Sequence, residues 1–538
     1  MSSMPESRTI PGLIDELVCR FPSRPALVGC GRRFTYVELR NETRRVAKGL
    51  WALGVRKGDK VAILMGNRPE WIIADLAITA LGAVMVGINT WATKRELEYQ
   101  LRHSDTNVLI MVDQFLKQDY LAMLGEIIQD EARLPLLGHV VCLSDQAQPG
   151  LKSLAELVGA GVTVPDATIA AAGAEVAPQD VAYILYTSGS TSAPKGVQLQ
   201  HYALIENMWQ IGERMHVTEN DRLWLAVSLF WGLGCENALF NLLTHGGCVV
   251  LQEHFEPGEA LRMIDKERCT VFYGTPNMVS ALIEHPQRAL HDLSSLRTGG
   301  TIGTPEQIER ASELGAREIC NIYGLTETYG NCCVTDAHDS LAARLTTVGR
   351  PLAGVRIRIV DPTTQVPLES GETGEIRVRG YVTCGYYKDD ARTHEAFDDD
   401  GWFKTGDLGF LDSEGRLHFR GRLKEMVKTG GINVAPVEVE EILRTHPAVA
   451  AAFVVGVPDA TRDEVLAAVV VRRPGADATE KVLEAHCRSA LAAYKVPRLF
   501  RFVEEDELPL TVTGKLQKNR LPELFSKTVA RRSSGTPA

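Results

Sequence analysis

No two of the eleven cysteines in this 538-residue chain are spaced as C-x-x-C, and only Cys332 and Cys333 are neighbours. That argues against a zinc site or a disulfide framework and suits reduced thiols in a cytoplasmic protein. Positive charge is also scarce: 58 Lys and Arg face 68 Asp and Glu. A net charge of −10 leaves no basic footprint for nucleic acid. No signal peptide is expected, since Met1 to Arg20 holds Glu6, Asp15 and Glu16 and no apolar core. The longest apolar run, Trp71 to Ile88, is interrupted by Asp75 and contains Gly82 and Gly87. It predicts a buried helix followed by a strand, with no membrane span. The final residues, Ser533 to Ala538, make no lipid or organelle address, and no internal repeat is apparent.

What is present is an α/β pattern long enough for two or more domains. Val61 to Met65 predicts a strand and Pro69 to Leu81 the helix after it. Val108 to Val112, Val140 to Leu143 and Val249 to Leu251 predict further strands, and Ser144 to Gln179 a surface connection. From Val355 strands and Gly-rich turns dominate, as a small β-rich subdomain would require. A separate α/β unit follows, with helices at Pro436 to Thr445 and Glu480 to Ala493 and strands at Val449 to Val455 and Leu466 to Val471.

Chemistry concentrates in Thr187-Ser188-Gly189-Ser190-Thr191-Ser192-Ala193-Pro194-Lys195-Gly196, which follows the apolar run Val181 to Tyr186. Glycine allows close backbone approach to an anion, hydroxyls and N–H groups donate, and Lys195 adds charge. A polyphosphate suits that set. Pro194 stands where a Walker A loop needs glycine before its lysine.

The order resembles instead the phosphate loop of the adenylate-forming superfamily, of the acyl- and aryl-CoA synthetase kind. Further segments continue the resemblance from about Arg33 to Arg520. Asn321-Ile322-Tyr323-Gly324-Leu325-Thr326-Glu327-Thr328 is similar to the family's adenine and metal segment. The likeness implies Tyr323 on the adenine, Thr326 on the α-phosphate and Glu327 on Mg²⁺. Arg297-Thr298-Gly299-Gly300-Thr301 resembles the backbone wall beside the base, and Gly401 to Asp407 the ribose segment, with Asp407 accepting from the ribose hydroxyls. Gly421-Arg422-Leu423-Lys424 resembles the junction between domains, which implies Arg422 at the ribose and Lys424 as hinge. Gly430-Gly431 follow at the place where the family lets a pantetheine thiol approach, and Lys515, in Leu510 to Leu516, resembles the family's lysine of the first half-reaction.

The fold implied is α/β. A large region of two parallel-type sheet subdomains plus a β-rich subdomain (1–421) precedes a hinge (422–425), a small mobile α+β domain (426–526) and a disordered tail (527–538). The implied reaction takes ATP, Mg²⁺, a carboxylic acid and CoA through an acyl-adenylate to a thioester. Transfer to a separate carrier protein or partner ligase is the alternative. Three departures stand out: Ser192 and Asp463 occupy places where glycine is usual, and Trp231 replaces a histidine in Phe230-Trp231-Gly232. Phe230, Trp231, Gly232, Leu325 and Asn331 are the expected acid pocket, and no aspartate stands ready for an amino-acid ammonium group. An apolar acid is expected: aryl, alicyclic or medium acyl.

Overall fold

Strands buried on both faces read as continuous apolar runs, and the two principal sheets are built of them. The structure, a computed structural model, describes residues 3–144, 148, 150–187, 194–429, 432–434, 436–459, 463–491, 493–510 and 516–525. Among these, a nine-stranded sheet runs Arg350–Pro351, Cys333–Val334, Glu318–Tyr323, Thr298–Thr301, Val271–Tyr273, Arg222–Leu225, Cys248–Leu251, Pro25–Gly29, Arg32–Thr35. It is parallel in the middle and antiparallel at both ends. A seven-stranded sheet runs Lys195–Gln200, Val181–Thr187, Val84–Gly87, Lys60–Leu64, Thr106–Val112, His139–Leu143, Lys152–Ser153. All its pairs are parallel except the hairpin Val181–Thr187/Lys195–Gln200.

The apolar run from Trp71 forms helix Pro69–Ala80 and strand Val84–Gly87, as its interruptions predict. Proline opens the helix, where its missing N–H costs nothing. Ten of its residues are buried, Asp75 among them. Tyr183 donates to Asp75 Oδ2 at 2.7 Å, and burial raises the Asp75 pKa to about 7. No helix among the described residues is long and apolar enough to cross a membrane.

The surface connection expected at Ser144 to Gln179 carries regular structure of its own. That stretch holds helices Leu154–Ala160 and Asp166–Ala174. The first opens with a capping box, Ser153 with Glu156, and packs on helix Tyr36–Ala52 where a side chain at Gly49 would overlap the Leu157 carbonyl. Alanine and glycine blur the periodicity, and packing supplies the stability that pattern does not.

Chain contacts divide the protein into two compact units, Met1–Ile357 with Val378–Phe403, and Arg358–Arg377 with Lys404–Ala538. The second contains a sheet ordered Arg356–Val360, Gly374–Arg379, Phe403–Leu411, Leu417–Arg422, and a five-stranded sheet centred on Asp463–Arg472. Alternation along that central strand serves two apolar clusters. Leu466, Ala468 and Val470 belong to one cluster, and Val465, Ala467, Val469 and Val471 to the other.

Candidate active site

The phosphate-loop hairpin is set by its strands. Thr187 ends one strand directly opposite Lys195, which begins the next. Ser188, Gly189, Ser190, Thr191 and Ser192 lie outside the described residues. Tyr99 donates its hydroxyl to the Pro194 carbonyl at 3.0 Å. The free edge of strand Lys195–Gln200 is covered by residues 383–387. Gln198 N–H donates to Gly385 O at 3.1 Å and Tyr387 N–H to Gly196 O at 2.8 Å, and Val197 bridges Tyr386.

That pairing delivers Tyr386 to the carboxylate the sequence singled out. Its hydroxyl donates to Glu327 Oε1 at 2.9 Å, while Lys195 Nζ sits 4.8 Å from the centre of its ring. Thr383 N–H also donates to the Glu327 carbonyl at 2.7 Å. Burial first, and Glu327 next, push the Tyr386 hydroxyl pKa up, so it remains a donor. Lys195 and Glu327 are therefore gathered on one side chain. Among the described residues Tyr386 is the side-chain donor to Glu327 and uses Oε1, which leaves Oε2 the lone pairs that a hard divalent cation takes.

Glu327 stands in a one-turn 3-10 helix, Thr326–Thr328, beyond strand Glu318–Tyr323. Leu325 N–H donates to Thr328 Oγ1 at 2.9 Å, and Tyr329 (φ 54°) and Gly330 (φ 76°) reverse the chain. The returning chain runs so close that a side chain at Gly324 would overlap the Gly330 carbonyl. Two buried asparagines hold the turn: Asn207 Nδ2 donates to Asn331 O at 2.9 Å and Asn237 Nδ2 to Tyr329 O at 3.0 Å. Leu325, Thr326 and Glu327 are half-buried, and Tyr323 is buried. Asn321 is buried and donates to Thr347 O at 2.8 Å; Asn331 is buried and donates to the Tyr273 hydroxyl at 2.8 Å. Gly299, Gly300 and Thr301 form the neighbouring parallel strand, with Thr301 opposite Asn321. Gly299 (φ 141°) abuts the Phe272 carbonyl so closely that any Cβ would overlap it.

In the expected acid pocket, Phe230 and Trp231 meet edge to face at 5.2 Å. Trp91 joins them at 5.4 and 5.3 Å. Gly232 leads into a π-helical turn, Leu233–Ala238.

In the second unit, Asp407 and Arg422 are opposite residues of paired strands, with Arg422 Nε 3.6 Å from Asp407 Oδ1. Asp407 is buried, and its N–H donates to Thr405 Oγ1 at 3.0 Å. Lys424 is exposed in the 3-10 turn Leu423–Glu425. Gly430, Gly431 and Lys515 lie outside the described residues, as does the side chain of Asp463. Leu510 and Leu516, flanking the Lys515 segment, form an antiparallel bridge.

Sequence reading missed Tyr386, Trp91, Asn207 and Asn237. Tyr386 lies in Gly385-Tyr386-Tyr387-Lys388, far from the segments it joins. The asparagines carried a local signal: polar residues at otherwise apolar helix positions, which burial obliges to find partners.

A family model described as AMP-binding enzyme matches residues 14–387, and one described as AMP-binding enzyme C-terminal domain matches residues 438–515. A Mycobacterium tuberculosis CoA ligase for a methyl-dioxo-octahydroindenyl propanoyl group is 38% identical over 522 residues, covering 96% of this chain and 99% of its own. The mitochondrial medium-chain acyl-CoA ligase of Danio rerio is 33% identical, covering 98% and 90%. The crystal structure of the anthranilate CoA ligase AuaEII with anthranoyl-AMP superposes with a TM-score of 0.83 at 28% identity, covering 98% of this chain and 99% of that one.

Proposed function

The chain belongs to the AMP-binding enzyme family, and from that premise we propose that Lys195, Thr326, Glu327 and Lys515 carry its adenylation step. The reaction class is that of an AMP-forming acid–thiol ligase: a carboxylic acid and ATP give an acyl-adenylate and pyrophosphate, and CoA takes the acyl group as a thioester. What supports the residue assignment is the meeting of Lys195 and Glu327 at Tyr386.

An acid carboxylate and a polyanionic nucleotide repel each other, so positioning and charge neutralisation make up most of the work. Lys195, with Thr187 and the hydroxyls and amides of Ser188 to Thr191, binds the terminal phosphates. Thr326 bonds the α-phosphate, Tyr323 covers the adenine against the Gly299-Gly300-Thr301 strand, Asn321 and Gly324 shape the same wall, and Asp407 and Arg422 hold the ribose. Glu327 holds Mg²⁺, which when bound supplies positive charge to the phosphate oxygens. Lys515 neutralises charge as the carboxylate oxygen attacks the α-phosphorus and pyrophosphate leaves. For the second half-reaction, the small domain turns about Lys424 and the thiol enters past Gly430-Gly431.

Three aromatic rings and a glycine at the expected pocket suit an alicyclic, aryl or medium acyl acid, in keeping with what the relatives' names record. Eleven free thiols suit a reducing compartment such as the cytoplasm. Nothing observed favours a separate carrier protein as acceptor. ATP–pyrophosphate exchange tests the assignment: it should require an acid of this class, and Glu327→Gln should depress it by about 10²-fold or more. Exchange at wild-type rate in that variant would remove Glu327 from the step.

A further inference from the structure

The π-helical turn Leu233–Ala238 carries a carboxyl group that the reaction above does not use. The Glu236 side chain is fully buried, and neither Oε1 nor Oε2 has a hydrogen-bond partner among the described residues. Buried polar atoms left in this way are rare, because each forgoes its hydration without replacement. The carboxyl folds back by one turn against Gly232, where a Cβ would stand 2.5 Å from Oε1. Glycine at that position, next in the chain after Phe230 and Trp231, thus makes the room that Glu236 occupies. Burial first, then the charge of Glu327, raises the Glu236 pKa well above the usual carboxyl range. A neutral carboxylic acid offers one O–H to donate and a carbonyl oxygen to accept.

The other fully buried acid, Asp75, differs in degree: Tyr183 donates to its Oδ2, and its Oδ1 is likewise without a partner among the described residues. Among the described residues Glu236 has no such donor, and the side chains that precede it, Phe230, Trp231 and Leu233, offer only an indole N–H among them. Its partner is therefore sought among what the pocket admits.

We infer that Glu236 determines specificity: it hydrogen-bonds a carbonyl or hydroxyl group carried on the otherwise apolar skeleton of the acid substrate. This rests on the acid pocket assigned above to Phe230, Trp231 and Gly232. An apolar pocket by itself discriminates weakly against a missing or extra polar group, whereas a buried donor left unpaired rejects the analogue that lacks the partner. A trapped water is the competing occupant.

The test uses cyclohexyl-propanoates that differ only in carrying a ring ketone, a ring hydroxyl or neither, each assayed for kcat/KM of acyl-CoA formation. The wild type should prefer the best oxygenated acid by at least about tenfold. Glu236→Leu should collapse that preference, mainly through loss of the oxygenated acids, and Glu236→Gln should retain most of it. Equal turnover of the three acids by the wild type, or an unchanged ratio in Glu236→Leu, would overturn the inference and leave water as the occupant. The wild-type ratio needs no variant, so a Glu236→Leu protein that fails to fold does not remove the test. A wild type that converts none of these acids would sink the acid-pocket reading, and calorimetric binding of the same three acids would still decide this one, equal affinities overturning it.

Discussion

Tyr386 is a positioning residue: it touches Glu327 through a 2.9 Å hydrogen bond and Lys195 through its ring. A hydrogen bond to a charged group is worth roughly 1.5–3 kcal/mol. Tyr386→Phe should therefore slow adenylation about 10- to 100-fold and raise the Mg²⁺ concentration needed for half-maximal rate. A purely structural role would leave that Mg²⁺ dependence unmoved. Asp75 offers a second prediction at this scale. Its folded pKa of about 7 exceeds the ordinary value of 3.8, so between these limits the folded state holds a proton that the unfolded state has released. Stability should then fall as pH rises from about 4 to about 7, by on the order of 4 kcal/mol from this group alone. Asp75→Asn should flatten that slope in urea titrations run across the range; an unchanged slope would mean that Asp75 is ionised when folded. Glu327 and Thr326 could be named as candidates from sequence because their segment is contiguous. Tyr386 could not, because only the pairing of Val197 with Tyr386 brings it into place.

At the scale of elements, glycines mark where backbones crowd. Gly299 sits against the Phe272 carbonyl with φ of 141°, so Gly299→Ala must move one strand of the sheet that ends at the active site. A loss of at least about 2 kcal/mol in denaturant unfolding is expected. A fully stable variant would contradict the close strand approach. Strands were legible from their apolar runs, with ends displaced by one residue where Val61 to Met65 became Lys60–Leu64 and by four at the far end where Val449 to Val455 became Val449–Asp459. The helices within 154–174 were not. Their apolar residues are few, and what holds the first is contact with Gly49, a partner more than a hundred positions earlier in the chain.

At the scale of the whole molecule, the two half-reactions ask different things of the second unit. In the proposed mechanism Lys515 serves the first and Gly430-Gly431 the second. Lys515→Ala should cut adenylation by about 10²–10³ while ATP still binds. Lys424→Pro should impair thioester formation more than adenylation, since proline fixes φ where the chain would turn. Equal loss of both half-reactions would count against the hinge. Motif order across the chain made the reaction class readable from sequence, whereas the acid was not, because Trp91 meets Phe230 only through the fold. The most direct measurement is pyrophosphate release with ATP, Mg²⁺ and a panel of alicyclic, aryl and medium-chain acids, with and without CoA. The account predicts sustained release that needs CoA and yields one mole of acyl-CoA per mole of pyrophosphate. A single stoichiometric burst that CoA does not accelerate would contradict it.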